Sequence, residues 1–311
     1  MAVEAPRRTL VIGTRGSELA RLQTEETLAL LRRAQPELLA EVRVIRTSGD
    51  RDRVSSLSVI GGKGVFVKEL EYALLDRTID LAVHSLKDLP PRLEPGLTLA
   101  GVSPRVDPRD ALVSRDGAVL AALPSGSRIG TSSARRRAQI LYHRPDLPVV
   151  EVRGNVDTRI RKVATGEVDG VVLAAAGLNR LGRLSEASEL FSVDDMLPAP
   201  GQGTLGWEVR KDDRFAMALV QAAGDEKGYT EAMAERAFQA GLGAGCTLPV
   251  GGFAVLDGVR LRLSGLIGAA DGRRMLRETR ESSSDDAVGL GGRLAEILLA
   301  AGGRELLDGP A

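Results

Sequence analysis

The chain has 311 residues, more than one hydrophobic core usually organises, so two or three domains are expected. Its 42 basic and 42 acidic side chains cancel and aromatics make up only 3%, which excludes a globally basic nucleic-acid binder and a base-stacking platform. No apolar run approaches the roughly 18 residues of a membrane span. The segment Met1-Ala-Val-Glu-Ala-Pro-Arg-Arg8 lacks the apolar core of a secretory signal, so a cytoplasmic location with no membrane partner is expected.

In chain order, Thr9-Leu-Val-Ile-Gly-Thr14 is a β-branched run ending in a Gly-Thr turn, which predicts a strand. Ser17 follows as a helix N-cap, with Leu19, Leu22, Ala29 and Leu30 on one helical face. Residues 41–47 alternate as a strand, and 48–62 form a polar, glycine-rich loop of the length that is either functional or disordered. Phe66, Leu70, Ala73 and Leu74 make the face of a second helix, before the strand Ile79-Asp-Leu-Ala-Val-His84. This β-α-β-α-β order predicts an α/β lobe with a mostly parallel sheet.

A second such unit follows: strand at 127–130, helix from Ser133 to His143, strand at 149–153, helix from Asn155 to Thr165, and a buried strand at 170–174. Two tandem α/β lobes usually hold a ligand in the cleft between them. After Gly201-Gln-Gly203 the pattern changes. A helix near 229–240 leads to strands at 252–256 and 259–267, then to a helix with Leu290, Leu294, Ile297 and Leu298 on one face. That is a smaller α+β domain. The chain shows no internal repeat.

Two strand-to-helix turns have the composition of anion sites. Gly130-Thr-Ser-Ser133 precedes a helix bearing Arg135, Arg136 and Arg137, and Thr14-Arg-Gly-Ser17 opens the first helix in the same manner. Free N–H groups and the helix dipole favour an anion there, and arginines add forked carboxylate recognition. Residues 128–183 carry eleven Lys/Arg against five Asp/Glu, so the second lobe is locally basic inside a neutral protein. Either reading, a capped helix with a solvated basic face or a polyanion site, fits each turn alone.

His84-Ser-Leu-Lys-Asp-Leu-Pro90 supplies a histidine, a lysine and a carboxylate at a strand's C-terminal end. A Ser-His-Asp hydrolase fails on geometry, because adjacent His84 and Ser85 point oppositely on an extended chain. A metal site fails on ligand count, since His143 is the only other histidine. A polar strand end or a carboxylate acid/base site remains. Cys246 is the only cysteine, within the glycine-dense stretch 241–252. It is either a buried small hydrophobe or a nucleophile given space by its glycines.

Taken together, Thr14-Arg-Gly-Ser17, Gly61-Gly-Lys-Gly-Val-Phe-Val-Lys-Glu-Leu70, His84-Ser-Leu-Lys-Asp88, Gly130-Thr-Ser-Ser-Ala-Arg-Arg136, Arg153-Gly-Asn-Val-Asp-Thr-Arg159, Leu197-Pro-Ala-Pro-Gly-Gln-Gly203 and Gly245-Cys246 resemble the porphobilinogen deaminase (hydroxymethylbilane synthase) family, in order over residues 9 to 256. The resemblance implies an α/β fold of two periplasmic-binding-protein-like lobes plus a smaller α+β C-terminal domain. The expected units are 1–103 with 204–221, then 104–203, then 222–311. It implies a transferase of tetrapyrrole biosynthesis, monomeric, which condenses four porphobilinogens head to tail with loss of ammonia and releases hydroxymethylbilane by hydrolysis.

The implied cofactor is a dipyrromethane on Cys246 through a thioether, held by Ser85, Lys87, Thr131, Ser132, Ser133, Arg135, Arg136, Arg153 and Gly154. Asp88 is the implied catalytic carboxylate and also contacts the cofactor. Arg15, Ser17, Lys63, Phe66, Arg153, Arg159, Arg180 and Gln202 are the implied substrate contacts, and no metal is implied. Two positions depart from the family pattern: Val59, where some members have lysine, and Asp157, where relatives have a small residue. Two readings compete. A non-catalytic two-lobed receptor for an anionic solute needs neither the thiol nor a third domain and usually carries an export signal. The effector domain of a LysR-type regulator would need a helix-turn-helix for which residues 1–16 leave no room.

Overall fold

The computed structural model describes residues 8–45, 67–243 and 248–308. The 48–62 loop, Val59, Lys63, Phe66 and Cys246 lie outside the described residues. In the first lobe, β1 (Leu10–Thr14) runs parallel to β2 (Ala40–Val44) on one side and β3 (Leu81–Ser85) on the other. Strand β10 (Leu205–Arg210) comes back antiparallel to β3 and separates it from β4 (Leu97–Val102), giving the order β2-β1-β3-β10-β4. Helix α1 (Glu18–Ala34) joins β1 to β2, and α2 (Lys68–Leu75) precedes β3.

The second lobe is assembled from β5 (Asp110–Ser114), β6 (Ile129–Gly130), β7 (Val149–Val150), β8 (Gly170–Ala174) and β9 (Glu189–Leu190), in the order β7-β6-β8-β5-β9. Again three strands are parallel and the fourth is antiparallel. In each lobe that antiparallel strand is the first one formed after the chain crosses from the other lobe. The two sheets thus share a topology that no sequence repeat announces, because a buried strand requires only apolar surface on both faces. Helices α3 (Ala134–His143), α4 (Val156–Ala164) and α5 (Ala175–Arg180) complete this lobe.

After β10, α6 (Arg214–Ala223) packs on α1, and α7 (Glu226–Gly241) leads into an antiparallel sheet of β11 (Val250–Asp257), β12 (Arg260–Gly268) and β13 (Met275–Ser283). Helices α8 (Ala287–Leu298) and α9 (Arg304–Asp308) follow. Phe238, Leu263 and Leu294 are fully buried in the core between this sheet and its helices. The α/β class, with a smaller C-terminal unit, is therefore as expected.

One expectation about α1 needs correcting. The face of Leu19, Leu22, Ala29 and Leu30 is half-buried at best, whereas Ala20, Gln23, Thr24, Thr27 and Leu31 are buried. The polar residues pack inward because their groups are satisfied there. Thr24 and Thr27 each donate to the carbonyl four residues back at 2.9 Å, and Trp207 Nε1 donates to Thr27 Oγ1 at 3.0 Å.

The two crossovers meet each other. Val106 N donates to Gly203 O, and Arg105 Nη1 donates to Gln202 O at 3.2 Å. Glu235, fully buried on α7, accepts from Gly201 N at 2.6 Å and Ala254 N at 2.8 Å while pairing with Arg105 at 2.8 Å. The C-terminal unit is thereby fastened to the junction between the lobes.

Candidate active site

The C-terminal ends of β1 and β3 and the first turn of α1 enclose a recess lined by Arg15, Ser17, Gln23, His84, Ser85 and Asp88, among others. Ligands of α/β sheets collect at such strand ends. Ser17 accepts from Ala20 N at 3.3 Å and so caps α1, and Gln23 Nε2 donates to Ser85 Oγ at 2.8 Å. His84 points into the lobe, where its Nε2 lies 3.0 Å from Glu208 Oε2. Beyond Ser85 the chain turns once through a 3-10 helix, Leu86–Asp88, and leaves the Asp88 side chain exposed.

Facing Asp88 is a group of cations. Burial, then repulsion from Arg136, pushes the Lys87 ammonium down to about 8, against a partial pull upward from Asp88. Burial and the same Arg136 push Arg159 down to about 10, with Asp88 again opposing and Arg153 adding repulsion. Charges crowded until their own proton affinity falls are matched to an anionic ligand, whose carboxylates would relieve both effects. A group bearing several carboxylates, as a dipyrromethane does, fits this donor set.

The supports of these cations run inward. Gly201 and Gly203 adopt φ of +77° and +91°, and a Cβ on Gly203 would sit 2.6 Å from Val106 O. Only glycine makes this turn, and it delivers Gln202 into a buried position. There Gln202 accepts from Lys87 Nζ at 3.3 Å and donates to Pro108 O at 2.8 Å and to Asp110 Oδ1 at 2.9 Å.

Several expected ligand-binding groups have partners within the protein. Arg135 and Arg136 are buried and both pair with Asp110, at 2.6 and 2.7 Å, and Arg135 also donates to Leu197 O. Ser133 caps α3 by accepting from Arg136 N, Ser132 donates to Val152 O, and Thr131 accepts from Ser133 N. Arg159 Nε donates to the carbonyl of exposed Gly154, and Arg153 Nε pairs with Glu151 at 2.9 Å. Arg180 is forked to Glu26 of α1. The carboxylate of Asp157, where relatives have a small residue, is met by Arg183, which also holds Glu186.

Sequence reasoning thus brought Arg15, Ser17, Ser85, Lys87, Asp88, Arg136, Arg153 and Arg159 to one region, but it missed Asp110, Gln23 and Glu26. The only local signal for Asp110 was its place in the crossover Asp107-Pro-Arg-Asp110, ahead of an apolar run.

Two α/β lobes of matching topology, clamped at their crossovers around one carboxylate among cations, define a two-lobed protein built to hold an anionic ligand. The family description "Porphobilinogen deaminase, dipyromethane cofactor binding domain" matches residues 10–218, and "Porphobilinogen deaminase, C-terminal domain" matches 229–300. A porphobilinogen deaminase of Roseiflexus sp. (strain RS-1) is 51% identical over 303 residues, covering 97% of this chain and 100% of the relative. That of Deinococcus radiodurans is 45% identical, covering 97% and 98%. The chain belongs to the porphobilinogen deaminase family. It is accordingly a transferase of tetrapyrrole biosynthesis with porphobilinogen as substrate and dipyrromethane as cofactor. A nutrient-binding protein from Burkholderia cenocepacia overlaps 70% of this chain and 93% of its own length, at a TM-score of 0.43 and 14% identity. No described helix is long and apolar enough to cross a membrane.

Proposed function

We propose that Asp88 carries the chemistry of a reaction in which four porphobilinogens are joined head to tail, each addition releasing ammonia, on a dipyrromethane held by the Cys246 thioether. The observation behind the assignment is the exposed carboxylate of Asp88 set among Lys87, Arg136 and Arg159. A negative charge there has an electrostatic purpose when positive charge develops on the substrate, as it does when ammonia leaves the aminomethyl carbon. Asp88 would accept the pyrrole N–H and stabilise that cation. A basic residue at this position would oppose it.

The dipyrromethane, when bound, supplies the pyrrole carbon to which new units are added. Lys87, Arg153 and Arg159 would hold its acetate and propionate groups from one side. Arg15 and Ser17 at the start of α1 would hold those of the incoming substrate. Arg135, Arg136, Gln202 and the Thr131–Ser133 hydroxyls act as positioning groups in this reading, since their bonds are made within the protein. Units spanning 1–103 with 204–221, 104–203 and 222–311 would form a cytoplasmic monomer that binds no nucleic acid. Incubation with porphobilinogen tests the reading: one ammonia should appear per substrate consumed, with hydroxymethylbilane as the first product. Substrate loss without ammonia release would overturn it.

A further inference from the structure

Arg180 ends α5 in the second lobe, and Glu26 lies in the middle of α1 in the first. Arg180 Nε meets Glu26 Oε2 at 2.8 Å and Nη2 meets Oε1 at 3.2 Å, a forked pair bridging residues 154 apart in sequence. The arginine side chain is 8% exposed and the glutamate 32%. The two helices pack together, and a Cβ added to Gly177 of α5 would lie 3.7 Å from Leu19 Cδ2 of α1. Glu26 sits one turn beyond Gln23 and two beyond Leu19, both of which line the recess beside Asp88. The pair therefore lies along one edge of the cleft, on the helix face that borders the site.

We propose that Glu26 is an internal stand-in for a ligand carboxylate at Arg180, tying the lobes together until an acetate or propionate of a pyrrole takes its place. The proposal rests on the reading of Arg180 as a substrate contact. A guanidinium removed from water requires a carboxylate partner, and the fork that Glu26 satisfies is the one a ligand carboxylate would satisfy. Glu26 keeps contact with solvent and regains hydration when it leaves, and the cost at the buried guanidinium is avoided only when a ligand carboxylate takes its place. Exchange of one carboxylate for another is then nearly neutral at Arg180, and Glu26 sets how strongly the substrate must compete for it. The lobes lose their tie at that edge when the exchange occurs.

The test is the KM for porphobilinogen in wild type, Glu26→Gln, Arg180→Gln and the double variant, each confirmed by intact mass to carry cofactor. Glu26→Gln should lower KM by about two- to fivefold while changing kcat less. That gain should vanish in the Arg180→Gln background, where KM is raised, and Glu26→Asp should return KM towards wild type. An unchanged or raised KM in Glu26→Gln, with KM still raised by Arg180→Gln, would overturn the role of Glu26 and leave the reading of Arg180 standing. An Arg180→Gln variant with wild-type KM would overturn both.

Discussion

Arg136 grips Asp110 through two donors, Nε at 2.9 Å and Nη2 at 2.7 Å, both on the same carboxylate oxygen. Burial alone would raise the Asp110 pKa, but Arg135, Arg136 and Gln202 together hold it well below the usual carboxylate range. The carboxylate is thus the inner anchor for the arginine pair that follows the Gly130–Ser133 turn.

The first prediction concerns that anchor. Arg136→Leu leaves Asp110 with one guanidinium fewer in a buried site and should destabilise the protein by about 3–5 kcal/mol, the usual effect of breaking a buried ion pair. Thermal unfolding measures it. A variant that melts with wild type would mean that Arg136 is free to serve ligands alone.

Asp88 behaves oppositely, because its side chain is exposed. Asp88→Asn should leave thermal stability near wild type and lower kcat by about 10²-fold or more, the effect of removing a preorganised charge. Asp88→Glu retains the charge, displaced by a methylene, and should keep more activity than Asn. Equal rates for Asn and wild type in cofactor-loaded protein would contradict the assignment.

The contrast between these two sites marks what could be read from the sequence. Short apolar runs gave β1, β3 and β8, Ser17 was legible as a cap, and the helices expected from Ser133 and Asn155 begin one residue later because those two residues are their caps. Strand β10 was obscured by Glu208 and Arg210, which are buried through partners on other strands and loops, His84 for the first and Asp80 and Asp213 for the second. Strand β13, Met275–Ser283, is charged on both faces and shows no alternation. An arginine at a helix end looks the same in sequence whether it faces a ligand or an internal carboxylate. Asp110, 25 residues from Arg135, and Glu26, 154 from Arg180, decide that question and are invisible to local spacing.

Lys87 makes capture of the cofactor's carboxylates depend on pH. Its ammonium is pushed down to about 8 by burial first and by Arg136 second, so it begins to lose its charge near pH 7 and is half neutral near pH 8. A ligand carboxylate favours the charged form, so binding above pH 8 must bring a proton with it. The cofactor-free protein's dissociation constant for a dipyrromethane bearing acetate and propionate groups should therefore be flat below about pH 7 and rise through pH 8, by up to about tenfold per unit. Lys87→Arg, which keeps its charge, should abolish the rise. A wild-type dissociation constant that stays flat to pH 9 would contradict this.

Glu71 on α2 should shape the pH dependence of stability. Burial, then the nearby Glu208 carboxylate, pushes its pKa up to about 7 from 4.5. The folded state therefore binds the proton more tightly than the unfolded chain. This contribution to stability is full below about pH 4.5 and is lost as pH rises through about 7. Glu71→Gln should remove that slope and raise stability at pH 8 by about 2 kcal/mol. Denaturant unfolding at pH 5 and pH 8 compares the two proteins. Parallel pH profiles for variant and wild type would count against the assignment.

The central claim is that this chain works through a dipyrromethane built on its single thiol. The intact mass of purified, active protein tests it most directly. The mass should exceed that of the sequence by two pyrrole units, and the whole increment should map to Cys246 and be absent from an inactive Cys246→Ala variant. Active protein of unmodified mass, or Cys246→Ala turning over at the wild-type rate, would contradict it.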